Sequence, residues 1–388
     1  MALELNYNLR HLLARRLSAF LTLGGIALVV SVYMASLMVA EGLKATLGAT
    51  GISENIIITR TGANNEVQSG INRDHAAIIA TQPEVALDQD GLPLITYDTA
   101  ILISLKKRAD DMPSNVTVRG VSPGVGRIRP FVKVVEGRWP SAGSREIMVS
   151  KGIQSKFKET DIGSTIRLVG AEWEVVGIFD AGETGFGSEI WADSETLIGA
   201  TRRDRFSSVT FRIADGSNFE ELRTRIESDP RLTLAVKTEK QFYEDLSGPL
   251  STFMTYLGTF VSIIFAIGAV IGAMITMYSE VANRVREIGV LRALGFKKIN
   301  ILRAFLIESI LLSFMGGVLG LGFAVMISFL RVSTTNFTTF SEVAFRLTLT
   351  PSVAIHGLIF AVIMGTIGGI LPAVKASRMK IIDALRTS

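Results

Sequence analysis

Four long runs without a charged side chain other than one histidine constrain this chain more than any other feature. They cover residues 17–40, 246–279, 309–330 and 347–374 and are 22 to 34 residues long. A helix needs about 20 apolar residues to cross about 30 Å of hydrocarbon, so each run is long enough to span a membrane. The composition is 48% hydrophobic and 20% charged, without cysteine, which excludes a disordered chain, a disulfide scaffold and thiol catalysis. We predict an α-helical membrane protein with four transmembrane helices.

Basic residues are concentrated in three short segments outside these runs. Residues 1–16, 280–303 and 375–388 hold 13 lysines and arginines against four acidic residues. The positive-inside rule therefore predicts that both termini and the 280–303 segment are cytoplasmic. Residues 41–245 carry 25 basic and 30 acidic residues, a net charge of −5, and are predicted to lie outside. The net +4 of the whole chain is thus a topology signal, and we expect no nucleic-acid partner.

The large insert between the first two runs has the pattern of a mixed α/β extracytoplasmic domain. Short apolar or alternating runs predict strands at 55–59, 94–104, 116–118, 145–149, 165–169, 173–179 and 208–213. Helices are predicted at 73–81, 150–157 and 218–228, the last capped by Asn218. The second uncharged run exceeds the hydrocarbon thickness. Its excess either projects outward as a stalk or is broken at Gly248–Pro249.

Signatures of enzymes and of metal sites are missing from the sequence. No G-x-x-x-x-G-K-[ST], H-E-x-x-H or G-x-S-x-G occurs, and His11, His75 and His356 are scattered. The glycines of GETGFG, residues 182–187, lack a strand-to-helix context and predict a flexible loop. We expect no catalytic residue, no metal and no cofactor bound by this chain. Glu308 is expected to snorkel or to pair with Arg303.

Three glycine pairs spaced by four residues lie within the apolar runs. Such pairs occupy one helix face and allow backbones to approach closely. General glycine enrichment of membrane helices explains one pair, whereas three favour a compact helical bundle. The predicted packing residues are Gly268, Gly272, Gly316, Gly320, Gly365 and Gly369.

The segment after the second run combines basic residues with one apolar stripe. Val281, Val285, Ile288, Leu291 and Leu294 recur at spacings of four and three, and Gly295 is placed to end the helix. Two interpretations are open at this point. The element either lies on anionic lipid or docks on a protein partner.

Several motifs resemble one known family. REIGVLRALG at 286–295, LIES at 306–309, GGVLGLG at 316–322 and the closing LPAVKASRMKIIDALR at 371–386 are similar to permeases of MacB-type ABC transporters. That superfamily includes FtsX-like and lipoprotein-releasing permeases. The resemblance covers essentially the whole chain and implies a non-catalytic, stand-alone permease without a fused ATPase, in the bacterial cytoplasmic (inner) membrane.

The resemblance also implies partners and a mechanism. A separate ABC ATPase dimer would hold ATP and Mg²⁺, a second permease copy or a paralogue would complete the transporter, and a periplasmic adaptor protein and membrane lipid are further expected partners. ATP-driven motion would pass to the outer domain, which is called mechanotransmission, and drive export or extraction of a substrate from the periplasm or outer leaflet. The implied ATPase-coupling residues are Arg284, Arg286, Glu287, Ile288, Gly289, Leu291, Arg292, Ala293 and Gly295.

Two alternatives to transport remain at this point. An FtsX-like subunit would activate a cell-wall hydrolase without transport, and a membrane receptor or scaffold would need no ATPase. The predicted organisation is a cytoplasmic amphipathic segment at 1–16, spans at 17–40, 248–279, 304–330 and 350–374, an outer domain with stalk ends at 41–247, a coupling loop at 280–303, a short outer loop at 331–349 and a cytoplasmic tail at 375–388.

Overall fold

The computed structural model describes residues 16–336 and 338–379. The chain divides into two compact units. A helical unit comprises the chain up to Glu41 together with residues 253–330 and the chain from Leu347 onward, and an α/β unit comprises residues 42–252 and 331–346. Most of the predicted 1–16 segment, and residues 380–388 of the predicted tail, lie outside the described residues.

Ten α-helices occur in the described part of the chain. They are α1 (Arg16–Gly48), α2 (Arg73–Ala80), α3 (Val125–Ile128), α4 (Lys151–Lys156), α5 (Ser194–Thr201), α6 (Phe219–Glu227), α7 (Glu239–Asn283), α8 (Val285–Ala293), α9 (Lys298–Ile327) and α10 (Pro351–Arg378). Four of these, α1, α7, α9 and α10, are long and apolar enough to cross a membrane. Fold and sequence pattern therefore agree on four spans with a mixed α/β domain between the first two.

Local sequence explains how these long helices start and continue. Pro351 occupies the first turn of α10, where its missing N–H costs no hydrogen bond, and the backbone N–H of Val353 donates to Thr350 Oγ1. Pro249 lies inside α7, which continues through it without ending. Of the two expectations for the second run, the structure therefore has the continuous helix and not the break at Gly248–Pro249.

Fourteen strands occur in the same described residues. They are β1 (Asn55–Arg60), β2 (Ile71–Asn72), β3 (Ile95–Lys106), β4 (Pro113–Val121), β5 (Lys133–Gly137), β6 (Glu146–Ser150), β7 (Thr165–Leu168), β8 (Ala171–Asp180), β9 (Glu189–Asp193), β10 (Arg205–Phe206), β11 (Ser208–Arg212), β12 (Leu234–Thr238), β13 (Arg331–Thr335) and β14 (Glu342–Arg346). Each predicted strand and helix of the insert overlaps an observed one, and the Asn218 side chain accepts hydrogen bonds from the amides of Glu220 and Glu221.

One ten-stranded sheet organises the α/β unit. Its order is β12-β1-β11-β3-β4-β9-β6-β8-β5, with β7 paired to β8. The β4–β9 and β6–β8 pairs are parallel and the other pairs are antiparallel. Two apolar cores form on it, one around Ile58, Phe211 and Leu222 and the other around Val118 and Trp173.

The segment between α9 and α10 is more ordered than the predicted short loop at 331–349. Strands β13 and β14 pair antiparallel, from Arg331 opposite Arg346 to Thr335 opposite Glu342. This hairpin belongs to the α/β unit although the sequence places it after the third span. The reason is tertiary, because Glu342 of the hairpin finds partners on β4, on α4 and at Lys107, the residue after β3, as described below.

Candidate functional site

The segment between the second and third spans forms a helical corner. Helix α7 ends at Asn283, Arg284 is the one residue outside helical geometry, and α8 follows. The α8 end has a Schellman pattern: the Phe296 amide donates to Leu291 O at 3.2 Å, the Gly295 amide donates to Arg292 O at 3.2 Å, and Gly295 has φ +96°. Gly295 thus supplies the left-handed conformation that reverses the chain into α9.

The predicted apolar stripe divides between two environments. Val281 and Ile288 are buried in a cluster with Met277 and Phe305, whereas Leu294 is 72% exposed. The exposed apolar side chains at this place form what we call the α8–α9 corner: Val290, Leu291, Leu294, Phe296 and Ile299. A face this apolar on a turn between two spans is typical of a docking or membrane-contact surface.

The predicted coupling residues follow the same division. Arg286, Leu291, Ala293 and Gly295 are exposed, and Glu287 and Arg292 are half-buried. Ile288 and Gly289 are buried within the helical unit, so they are not available to a partner in this structure. The Arg292 guanidinium donates to Phe296 O at 3.3 Å, beyond the end of its own helix.

Arg284 and Glu308 depart from the expected contacts. The Arg284 side chain faces into the helical unit, where its Nη1 lies 3.1 Å from Glu308 Oε2. Arg303, the expected partner of Glu308, is exposed. Arg303 was expected because it is the basic residue nearest to Glu308 in the sequence, whereas the actual partner is 24 residues away, between α7 and α8.

The glycines also separate into two groups. Gly316 and Gly320 of α9 meet α1, and Gly365 and Gly369 of α10 meet Ser309 and Ser313 of α9. Ser309 Oγ donates to Gly365 O at 2.7 Å across this contact. Gly268 and Gly272 of α7 have no heavy atom within 4 Å of a built Cβ, so the expected packing of that pair is missing among the described residues of one chain.

A buried group of charged side chains, which the sequence did not predict, lies in the α/β unit. Arg119 of β4 forms two-point contacts with Glu66 and with Glu189, at 2.7 to 2.9 Å. Arg129 contacts Asp98 at 2.8 Å and Glu239 at 3.0 Å. All six side chains are buried, and we call them the charge cluster. A charged residue inside an otherwise apolar strand, such as Arg119 in VTVRGV, was the available signal.

Opposite charges control ionisation in the charge cluster. Burial alone would raise the pKa of Glu66, but the Arg119 guanidinium and hydrogen bonds from Arg119 and Ser208 lower it to about 2. Removing one partner from a buried ion pair costs about 3–5 kcal/mol, since the other charge is left unpaired. The cluster therefore holds together the elements that carry its members.

Those elements include the first residue of α7. Glu239 accepts hydrogen bonds from the Ile52 amide at 3.1 Å and from Asn55 Nδ2 at 2.8 Å, besides its contact with Arg129. The chain after α1 and the start of α7 are thus both tied to the sheet. The beginning of the second long helix is anchored in the α/β unit by buried polar contacts.

Phe186 gives the GETGFG segment a structural role. Residues Gly185–Ser188 form a 3₁₀ turn, and the Phe186 ring lies 5.0 Å from the Arg119 guanidinium and 4.6 Å from that of Arg129. The ring is fully buried. The segment was predicted to be a flexible loop because its glycines dominate the pattern, but the structure packs its aromatic side chain against the charge cluster.

The β13–β14 hairpin is held to the sheet mainly through Glu342. Its Oε2 lies 2.8 Å from Lys107 Nζ and accepts from Ser114 Oγ at 2.7 Å, and its Oε1 lies 3.5 Å from Lys156 Nζ. Burial alone would raise the pKa of Glu342, but hydrogen bonds from Lys107 and Ser114 and the charge of Lys156 lower it to about 2. The Ala344 amide also donates to Ser188 Oγ at 3.1 Å.

Metal binding has no support from the geometry. Throughout residues 16–336 and 338–379 no group of three or more histidine or acidic side chains is arranged to hold a metal ion. The structure does show an exposed apolar corner, a buried ion pair, and an α/β unit to which the chain connects four long helices. These define a polytopic membrane subunit with a large inserted domain.

Family models identify the class to which this subunit belongs. The model described as MacB-like periplasmic core domain matches residues 19–229, and the model described as FtsX-like permease C-terminal matches residues 259–381. The chain belongs to the MacB-type ABC transporter permeases. It is an ABC transporter permease subunit, a membrane protein with an extracytoplasmic α/β domain.

Individual relatives are distant but match almost the whole chain. A macrolide export ATP-binding/permease protein MacB of Vibrio parahaemolyticus is 25% identical over 96% of this chain and 58% of its own length. The chain thus spans little more than half of that relative. The uncharacterised ABC transporter permease YknZ of Bacillus subtilis is 23% identical over 97% of both chains.

Two solved structures are similar to about half of the chain. The periplasmic region of MacB from Actinobacillus actinomycetemcomitans matches with a TM-score of 0.39 and 12% identity, over 52% of this chain and 95% of that one. The extracellular domain of the transporter YknZ matches with a TM-score of 0.36 and 15% identity, over 47% of this chain and 99% of that one.

Proposed function

We propose that this permease docks a separate cytoplasmic ABC ATPase dimer at the α8–α9 corner and transmits ATP-driven motion to the extracytoplasmic domain. ATP and Mg²⁺ would be held by the ATPase, since this sequence contains no P-loop motif. Two permease subunits would face the two ATPase subunits. The motion would drive export or extraction of a substrate from the periplasm or outer leaflet.

The exposed α8–α9 corner is the observation that carries this proposal. Five apolar side chains point away from the bundle next to the exposed basic residues Arg286, Lys297 and Lys298. The positive-inside rule predicts that this segment is cytoplasmic, which is the side where an ABC ATPase would lie. An apolar centre with a charged rim is the usual composition of a protein interface.

Anchoring of α7 supports the second half of the proposal. The helix is continuous from Glu239 to Asn283, and its first residue belongs to the charge cluster. A rigid helix fixed at one end in the sheet carries displacement along its length, whereas a broken helix would absorb it. The hairpin at 331–346 connects α9 and α10 to the same α/β unit.

Aspartate substitution at the corner tests the docking step. We expect Leu294→Asp and Leu291→Asp to abolish copurification with a co-expressed ABC ATPase and the stimulation of its activity, because a charge would be buried at the interface. Leu92→Asp is the matched control, since Leu92 is a 52% exposed leucine of the α/β unit. Undiminished ATPase binding by both corner variants would refute the docking surface.

Ile288 is unsuitable for this test although the sequence suggested it. Its side chain is 2% exposed and packs inside the helical unit. An aspartate there would destabilise the bundle, so a loss of ATPase binding would not report on docking.

A further inference from the structure

Arg284 forms a joint between two helices without a break in backbone hydrogen bonding. It is the single residue between α7 and α8, with φ −105° and ψ 17°. Its amide donates to Glu280 O at 3.1 Å and Val281 O at 3.3 Å, and its carbonyl accepts from the Ile288 amide at 2.9 Å. The direction of the helix axis can therefore change at this residue at little cost in hydrogen bonds.

The side chain of Arg284 connects three helices at this joint. Its Nε lies 2.8 Å from Glu280 Oε1 of α7 and 4.0 Å from Glu287 Oε2 of α8, and its Nη1 lies 3.1 Å from Glu308 Oε2 of α9. The guanidinium also lies 6.0 Å from the centre of the Phe305 ring. One cation is thus shared by carboxylates on all three helices.

The ion pair between Arg284 and Glu308 is buried, which makes the loss of either charge costly. The Arg284 and Glu308 side chains are 11% and 8% exposed, so loss of either would leave the other charge with little solvent. Arg284 Nε and Nη2 are both buried without a hydrogen bond, although Nε lies 2.8 Å from Glu280 Oε1. A guanidinium with unused N–H donors among three carboxylates can exchange one carboxylate for another when α8 moves, and it stays paired while it does so.

Glu308 is adjacent to the contact between the third and fourth spans. The next residue, Ser309, donates to Gly365 O of α10. A movement of the Glu308 side chain would therefore act on the contact between α9 and α10. These are the two helices that the β13–β14 hairpin joins.

We propose that Arg284 is a positioning residue whose ion pair with Glu308 sets the angle of α8 against α9, so that force on α8 enters the bundle through the third span. This inference rests on the proposed docking of an ATPase. The Arg284 side chain is 11% exposed and acts from inside the bundle, in contrast to the exposed residues of the α8–α9 corner.

Charge removal and charge retention test the pair in the permease. We expect Glu308→Gln and Arg284→Gln to retain copurification with the ATPase but to lower its permease-dependent stimulation about fivefold or more, within the usual range of coupling energies. Arg284→Lys, which keeps a cation beside Glu280 and Glu308, should retain much of the stimulation. Arg303→Gln is the matched control, because Arg303 is an exposed arginine on the same helix.

A second measurement needs no ATPase. Because the chain has no cysteine, spin labels can be attached at Val290→Cys on α8 and Phe314→Cys on α9, both exposed positions. The distance distribution between the labels should broaden in Glu308→Gln and stay narrow in Arg284→Lys, while Arg303→Gln leaves it unchanged.

The two measurements separate the inference from the proposed function. An ATPase that fails to bind the unmodified permease refutes the docking proposal alone. An unchanged label distance in Glu308→Gln overturns the positioning role of Arg284, whatever the ATPase does. Equal loss of stimulation in Glu308→Gln and Arg303→Gln also overturns it, since a general charge effect would then be sufficient.

Discussion

Glycines at the contact between α1 and α9 allow the two helix backbones to approach closely, because they have no side chain in the way. A Cβ built on Gly320 would lie 2.8 Å from the backbone oxygen of Ala27, and one on Gly316 would lie 2.9 Å from Ile26. Neither position can accept a methyl group unless α1 and α9 move apart. The same residue type at Gly272 faces open space, so composition alone does not determine its role.

Substitution should distinguish the tightly packed glycines from those that face open space. We expect Gly320→Val to destabilise the bundle by about 1–3 kcal/mol, the usual cost of overpacking, and to lower the thermal unfolding temperature in detergent. Gly272→Val is the matched control and should change that temperature little. Equal destabilisation by both variants would contradict the packing in a single chain and would place a second copy against Gly272.

The β13–β14 hairpin is the element whose assignment depends most on electrostatics. Glu342 lies opposite Thr335 in the β13–β14 pair. Its carboxylate also contacts two lysines and accepts a hydrogen bond from a serine of the α/β unit. Because its pKa is lowered to about 2, the carboxylate is ionised at neutral pH and its partners remain engaged. The hairpin is thereby fixed to the α/β unit.

Acidification should release the hairpin in a defined range. A carboxyl group whose pKa is lower in the folded state stabilises the fold above its ordinary pKa near 4.5, and that contribution is lost as the pH falls towards about 2. We expect hydrogen exchange of the Ala344 amide, corrected for intrinsic rate, to rise between those values. Glu342→Gln should show the fast exchange already at pH 7, and slow exchange in that variant would contradict the role of Glu342.

The whole molecule is two units that the chain connects four times. It passes between them near residues 41, 252, 330 and 346, so that each long apolar helix leads into the α/β unit. The charge cluster fixes the α7 connection and Glu342 fixes the hairpin connection. Under the proposed mechanism the α/β unit with its hairpin moves as one body.

A crosslink within the α/β unit tests that statement. Ser188→Cys with Ala344→Cys, joined by a short bis-maleimide in this cysteine-free chain, would fix the hairpin to the 3₁₀ turn. We expect ATPase stimulation to stay within about twofold of the uncrosslinked protein, since the two elements already belong to one unit. Each single-cysteine variant treated with the reagent is the control. Inhibition that appears only in the crosslinked pair would mean that the hairpin must detach.

Sequence patterns predicted much of the fold and less of the site. The four spans and the seven predicted strands were readable because hydrophobic periodicity is local. The corner was located by its motif, but the pattern could not tell that Ile288 faces inward and Leu294 outward. Both lie on the same stripe, and the orientation of α8 is set by contacts with α9 and α10.

The sequence by itself determined the apolar runs, the charge asymmetry, the α/β character of the insert and the family resemblance. These follow from residue order, and helix length and pattern period are properties of short windows. Only the tertiary structure decided that Arg284 pairs with Glu308, that Arg119 and Arg129 neutralise buried carboxylates, and that the hairpin joins the α/β unit. Those partners are far apart in the chain, and a buried charge pairs with the opposite charge that the packing of the fold brings close to it.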